Sequence, residues 1–245
     1  MSINKLVGSF DEAVADIFDG AVILIGEFGP TNDSQSHLVE ALSRRNAKSL
    51  TLVINTPVQR HHQRDVLRIT SPGFENGRLL VENGQVNKII CTASDNPQPG
   101  TEITLGGLPA EEKLEVELVS RGTLSERIRA AKAGIPAFFI PARADSVTDQ
   151  GKESRIIDGN TFVLEYALKA DFALVKAHKA DRWGNLVYQD SPDNFNVTIA
   201  GAAGVTVAEV DKVVPLGELD PETIATPSIY VNRVVSGQPG NPGES

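Results

Sequence analysis

Residues 21–54 constrain the fold more than any other stretch. Ala21-Val22-Ile23-Leu24-Ile25 is an unbroken apolar run, which suits a strand covered on both faces rather than one with a wet side. A polar loop follows from Gly26 to Ser34. His37 to Arg45 then sets Leu38, Ala41 and Leu42 at helical spacing, and Leu50 to Ile54 is a second short apolar run. Strand, loop, helix and strand in so short a span imply a parallel pair joined by a right-handed crossover. Ligands of open parallel sheets bind beyond the carboxyl ends of the strands. The loops after Ile25, Ile54 and Cys91 are therefore where chemistry is expected.

The same alternation continues along the chain. Ser9 and Glu12 have capping-box spacing, which predicts a helix from Ser9 to about Phe18 that Asp19-Gly20 breaks. Lys88 to Cys91 and Leu114 to Val119 read as strands. Thr123-Leu124-Ser125-Glu126 is a second capping box, opening a helix that Gly134 stops. Ala137 to Ile140 reads as a buried strand. Beyond Arg155 the pattern changes to hairpins: Asp158-Gly159-Asn160 turns Arg155–Ile157 back on Thr161–Leu164, and Trp183-Gly184-Asn185 lies between Phe172–Lys176 and Leu186–Tyr188. Phe195 to Ala203 is predicted as a helix, Val205 to Val210 as a strand, and Ile229 to Val235 as the last strand. The expected fold is α/β, a mostly parallel sheet with flanking helices and added β-hairpins, in one domain over residues 1–235. Ser236 to Ser245 holds three glycines, two prolines and no large apolar residue, the composition of a disordered tail.

Composition enters by exclusion. The 23 basic residues against 32 acidic ones leave a formal charge of −9, the opposite of the basic footprint of a general nucleic-acid binder. No apolar run is long enough to cross a membrane as a helix, and the start Met1-Ser2-Ile3-Asn4-Lys5 lacks the pattern of a signal peptide. With the single cysteine Cys91 the chain forms no internal disulfide. A cytoplasmic setting is expected, with neither nucleic acid nor membrane as partner.

The first loop reads Gly26-Glu27-Phe28-Gly29-Pro30-Thr31-Asn32-Asp33-Ser34. Its glycines permit close backbone approach, and Asn32, Asp33 or Ser34 can cap the next helix. A helix N-terminus offers free N–H groups to an anion; the plainer alternative is a tight connection. Arg60-His61-His62-Gln63-Arg64-Asp65 contains a His-His-Asp set, but adjacent histidines point apart and no further ligand is evident, so no metal is expected. Its arginines suit phosphate. Cys91 ends an apolar strand and reads as an inert core thiol, and Trp183 as a packing residue beside a turn.

Several blocks carry a resemblance. Asp19-Gly20, the apolar run and Gly26-x-Phe28-Gly29 are followed by Gly122-Thr123-Leu124-Ser125-Glu126-Arg127-Ile128-Arg129-Ala130 and Gly134-Ile135-Pro136-Ala137-Phe138-Phe139. Then come Asp171 to Leu186, with Asp181-Arg182-Trp183-Gly184-Asn185, and Gly217-Glu218-Leu219-Asp220-Pro221-Glu222 before Thr226-Pro227. In this order they resemble the alpha subunit of class I coenzyme A transferases, across about residues 5 to 235. The resemblance implies the CoA-transferase, isomerase-like fold and a heterodimer or heterotetramer with a beta subunit. It implies an acyl-CoA and a carboxylic acid as substrates, and no permanently bound cofactor. A glutamate of the beta subunit would attack the thioester, and CoA would pass through a glutamyl-CoA intermediate to an acceptor such as a 3-oxo acid. The Asp-Arg-Trp-Gly-Asn stretch resembles 3-oxoadipate-type subunits, which places the reaction in aromatic- or fatty-acid catabolism.

On this alignment Asn55 stands where the beta subunit has its glutamate, and Gly26, Glu27, Phe28, Gly29, Pro30, Thr31 and Asn32, with Asn55, line the CoA and substrate site. The Glu-Asn-Gly triplets at Glu75-Asn76-Gly77 and Glu82-Asn83-Gly84 lie too late and read as polar turns. The chain departs from the family's G-G-F-x-x-x-G-x-P at Glu27, Asn32 and Ser34. Glu27 is either a new general base, a bias against anionic acceptors, or a side chain turned aside. A CoA-thioester hydrolase or lyase using Glu27, a non-catalytic CoA-ester-binding subunit, and a sugar-phosphate isomerase of similar topology stand as alternatives.

Overall fold

The computed structural model describes residues 3–26, 36–60, 66–69, 72–93, 102–105, 114–142, 149, 151–189 and 195–237. The elements begin with α1 (Phe10–Ala13), β1 (Val22–Ile25), α2 (His37–Ser43), β2 (Leu50–Arg60) and β3 (Val66–Ile69). Next come α3 (Pro72–Glu82), β4 (Val86–Ala93), β5 (Glu102–Leu105), β6 (Glu115–Val119), α4 (Arg121–Lys132) and β7 (Ala137–Pro141). The chain closes with β8 (Ser154–Ile157), β9 (Asn160–Tyr166), β10 (Ala170–Ala180), β11 (Leu186–Val187), α5 (Phe195–Ile199), β12 (Ala203–Val213) and β13 (Arg233–Ser236).

The central sheet runs β13-β12-β10-β1-β2-β4-β6, parallel at every step. β11 folds back antiparallel on β10, and β3 pairs antiparallel with the far end of β2. The expected α/β class is the one found. One register row crosses the sheet as Val207, Leu174, Ile25, Ile54, Cys91 and Leu118. Side chains alternate between faces along a strand. This row accordingly packs with Val14 and Ile17 after α1, with Leu38 and Leu42 of α2 and with Leu80 of α3. The neighbouring residues Leu24, Val53, Ile90 and Ala173 pack on the opposite face with Leu124 and Ile128 of α4 and Ile199 of α5. Two helical layers thus cover both faces, as the unbroken apolar run required.

Several expectations need correction. Ser9 caps α1, accepting the Glu12 N–H at 3.1 Å, but the helix ends at Ala13 rather than near Phe18. Arg233 takes the Ala13 carbonyl at 2.9 Å, and the Ile17 N–H turns to the Val14 carbonyl instead. α4 starts earlier than Thr123: its cap is Ser120, which accepts the Thr123 N–H at 3.3 Å. Gly134 does end it, at φ +73°. The strand at Ala137 is only half-buried, because it is an edge of a separate three-stranded antiparallel sheet, β7-β9-β8. The hairpin turn at Asp158-Gly159 is as expected, both residues having positive φ. The last strand starts at Arg233. Behind Pro227 the backbone winds into a 3-10 turn over Ser228–Tyr230, leaving Ile229 exposed. Glu75-Asn76-Gly77 lies inside α3, which Pro72 opens, whereas Gly84 is a turn at φ +65°.

Candidate functional site

The carboxyl end of β1 lies beside the middle of β10 and β2, Ile25 being level with Leu174 and Ile54. Gly26 follows the last residue of β1, and its N–H donates to the Leu174 carbonyl at 2.8 Å. A Cβ on Gly26 would sit 1.8 Å from Asn196 Oδ1 and 3.1 Å from the Leu174 carbonyl oxygen. Only a glycine allows this approach. Asn196 is buried in α5, and its Oδ1 accepts the Lys176 N–H of β10 at 3.4 Å.

The other end of the connection, Ser36, is held as firmly. Ser36 caps α2, accepting the Val39 N–H at 3.3 Å, so the cap is not Asn32, Asp33 or Ser34. Glu209 of β12, only 2% exposed, reaches the same turn. Its Oε2 accepts from Ser36 Oγ at 3.1 Å and from the Leu38 N–H at 3.3 Å. Its Oε1 lies 2.9 Å from His37 Nδ1 and 3.7 Å from Lys176 Nζ. Lys176 also lies 3.7 Å from Asp211, which His178 meets at 3.2 Å. The positive end of α2 is thus already matched by a protein carboxylate, and its first turn is not the free anion site that the sequence suggested.

Asn55 follows Ile54 directly and is half-buried. It sits where the register between β2 and β4 slips, between Ile54 and Pro57, an irregularity of the kind that re-aims side chains near sites. Glu27, Phe28, Gly29, Pro30, Thr31 and Asn32 lie outside the described residues, as do His61, His62 and Asp65. Among the described residues no cluster of ligands could hold a metal ion, and no helix is long and apolar enough to cross a membrane. Cys91 is fully buried, and burial together with nearby Glu117 pushes its thiol up to about 12.

Asp181-Arg182-Trp183-Gly184-Asn185 is a clasp. The buried Asp181 accepts the Trp183 and Asn185 N–H groups at 2.9 and 3.1 Å and the Asn185 amide at 2.7 Å. Asn185 Oδ1 in turn accepts the Ser228 N–H at 2.9 Å.

A coenzyme A transferase family profile matches residues 7–237. The A subunit of the 3-oxoadipate CoA-transferase from Pseudomonas putida is 42% identical over 234 residues, covering 96% of this chain and 94% of that protein. The chain belongs to the coenzyme A transferase family. Within the family it has the length of a separate A subunit. The human mitochondrial succinyl-CoA:3-ketoacid coenzyme A transferase 2 is 37% identical over 93% of this chain, which spans 44% of that protein. The fold is likewise that of an acyl-CoA transferase from Escherichia coli O157:H7, at a TM-score of 0.73 and 20% identity, over 96% of this chain and 47% of that one. The family and fold expected from the motif blocks are those found.

Glu209, Asn196 and Lys176 escaped the sequence reading. The signal for Glu209 was present: a single carboxylate inside Val205-Thr206-Val207-Ala208-Glu209-Val210 must find donors once that strand is buried.

Proposed function

We propose that the chain is the A subunit of an enzyme moving CoA between an acyl-CoA, such as succinyl-CoA, and a 3-oxo acid. The observation that supports this best is Asn55, a neutral amide in the middle of β2 where its register with β4 slips, in a chain spanning 44% of the human relative and 47% of the Escherichia coli one. An amide does not form an acyl anhydride, so the nucleophile is a glutamate of a B subunit, in a heterodimer or heterotetramer. That carboxylate adds to the thioester carbonyl and CoA leaves as thiolate. The thiolate attacks the glutamyl carbonyl of the mixed anhydride, giving glutamyl-CoA and the free acid. The acceptor carboxylate and the thiolate repeat the two steps in reverse, and the glutamate is restored.

This chain supplies the opposite wall, from Gly26 through Asn32 with Asn55. The first turn of α2 is engaged by Glu209 and Ser36. Glu27 biases the site against doubly anionic acceptors. The CoA thioester is substrate, not resident cofactor, and the reducing cytoplasm suits a lone buried thiol.

The test is CoA exchange between succinyl-CoA and 3-oxo acids by the chain alone and with its B subunit. Exchange is expected only with both, and turnover by the chain alone overturns the reading. In the complex, Glu27→Gly should leave turnover intact and improve use of dianionic acids. A loss of about two to four orders of magnitude would instead make Glu27 an acid–base catalyst.

A further inference from the structure

We propose that the Asp181–Asn185 clasp is a docking surface for the B subunit, with Trp183 and Ile229 as its anchors. The proposal rests on the functional reading above, in which the chain works with a B subunit.

The turn explains only part of this block. It needs Asp181, whose carboxylate takes two N–H groups, Gly184 at φ +89°, and Asn185, which binds Ser228. It does not need Trp183. The sequence suggested a packing residue there, but Trp183 is 39% exposed and stacks on no ring among the described residues. Two further segments are tied to the same knot. Lys5 donates its N–H to the Arg182 carbonyl at 2.9 Å and its ammonium to the Ser228 carbonyl at 2.6 Å. The Gly184 backbone runs so close to Val231 that a Cβ on it would lie 3.1 Å away. Ile229, 79% exposed, therefore stands on the segment beside Trp183, and the exposed Ile3 and Leu6 flank Lys5. Single exposed apolar side chains are ordinary on a protein surface, whereas a cluster of them marks a site of interaction. Trp and Arg are the types that dominate binding at interface centres, and hydrogen bonds that order them beforehand reduce the entropy lost on association.

Charge selects the occupant. Segments 3–7, 181–186 and 226–232 carry two cations, Lys5 and Arg182, and one acid, Asp181, which is buried and turned to its own backbone. Lys132 adds a third cation, 4.4 Å from the centroid of the Tyr230 ring. A second copy of the chain across a two-fold axis would face this surface with the same cations. The occupant is the other subunit, meeting Trp183 and Ile229 with an apolar recess and Arg182 with a carboxylate. Position agrees. β10 passes Leu174, level with the last residue of β1, and runs to Ala180, where the clasp begins. That is the side of the sheet from which, on the functional reading, the B glutamate reaches the thioester.

The experiment titrates the B subunit against this chain and reads the Kd for wild type, Trp183→Ala, Ile229→Asp and Arg182→Glu. The control is Ile156→Asp on β8, where the side chain is 78% exposed. All four side chains are exposed, so each variant alone should keep the melting temperature of wild type. Trp183→Ala should raise the Kd at least about 30-fold, the loss of one hot spot, and Ile229→Asp as much. Arg182→Glu should slow association and weaken its dependence on salt. Ile156→Asp should bind B as wild type does. Wild-type affinity in both Trp183→Ala and Ile229→Asp would overturn the proposal. So would weakening by Ile156→Asp alone, or variants that change self-association of the chain and leave B binding intact. CoA exchange in the same samples separates the two readings. Variants that lose B, beside a wild-type complex that fails to exchange CoA, would uphold the docking surface and sink the functional reading. Exchange by the wild-type complex together with normal B binding by the variants would do the reverse.

Discussion

Among the described residues two glutamates are buried, one in each sheet, and they are held differently. Glu209 in the parallel sheet gathers Ser36, His37, Leu38 and Lys176 from α2 and β10. Glu165 in the three-stranded sheet is 4% exposed and pairs with Lys152, 13 residues away in the same appendage. It faces a cavity of about 400 Å³ also lined by Glu117, Arg127 and Glu153. Arg127 joins the two regions, binding Glu117 at 2.7 Å and the Tyr166 carbonyl at 3.2 Å. A buried carboxylate must be matched by donors wherever it lies. Donors recruited locally fix a hairpin. Donors recruited across the sequence fix the relative position of distant elements, and that is the arrangement found at the edge where the site is expected.

This difference sets the ranking of stability losses. Glu209→Leu should cost about 3 kcal/mol, because the Ser36 hydroxyl, the Leu38 N–H and Lys176 all lose a charged acceptor in a closed space. Glu165→Leu should cost about 1 kcal/mol or less, since Lys152, 28% exposed, can turn toward water. Urea unfolding of the two variants under the same conditions decides the matter. Equal losses would mean that the reach of the contacts does not matter.

Gly26→Ala is the next largest effect and probes the close approach at Gly26 alone. The added methyl group overlaps Asn196, and forced overpacking of this kind costs about 1–3 kcal/mol. Asn196→Ala in the same chain removes the obstructing amide and should recover part of the loss. As a contrast, Gly134→Ala meets no atom within 4 Å but has φ +73°, so it should lose about 1–2 kcal/mol from backbone strain alone. Should Asn196→Ala leave the Gly26→Ala defect undiminished, the obstruction is the Leu174 carbonyl rather than the amide.

What the sequence made legible divides along the same line. Apolar runs and turn residues are local signals, so β1, β10, β12 and the Asp158-Gly159 hairpin could be placed from them. The motif blocks identified the family but not the work of each block: Asp181–Asn185 forms a clasp onto Ser228. The Ala13 carbonyl was taken by an arginine 220 residues away, and the α2 turn by Glu209. Neither could be read from spacing, because each is decided by which strand lies beside which helix. The half-burial of Ala137–Pro141 was hidden for the same reason, an apolar run carrying no mark of the sheet that it joins.

Cys91, in the core of the parallel sheet, gives an effect that is absent at neutral pH. It is on β4 beside β6, whose Glu117 lines the cavity. Burial chiefly, and Glu117 secondarily, raise its thiol from 9.0 to about 12. A thiol whose folded pKa is raised favours folding in its neutral form. That contribution is whole below the unfolded value and is lost as the pH climbs from about 9 toward 12. At pH 10 the unfolded chain has released most of this proton and the folded chain almost none of it, a difference of about 1.4 kcal/mol at one pH unit above the unfolded pKa. Cys91→Ser lacks the titration, so its stability relative to wild type should improve by that amount between pH 7 and pH 10, whatever the serine costs at pH 7. Urea midpoints of both proteins at the two pH values measure it, and the other titrating groups, Tyr188 among them, cancel between the two. Parallel pH dependences would mean that a folded thiolate is accommodated at Cys91. The dry core of the parallel sheet would then stop short of β4, and the wet, charged character of the cavity would extend through β6.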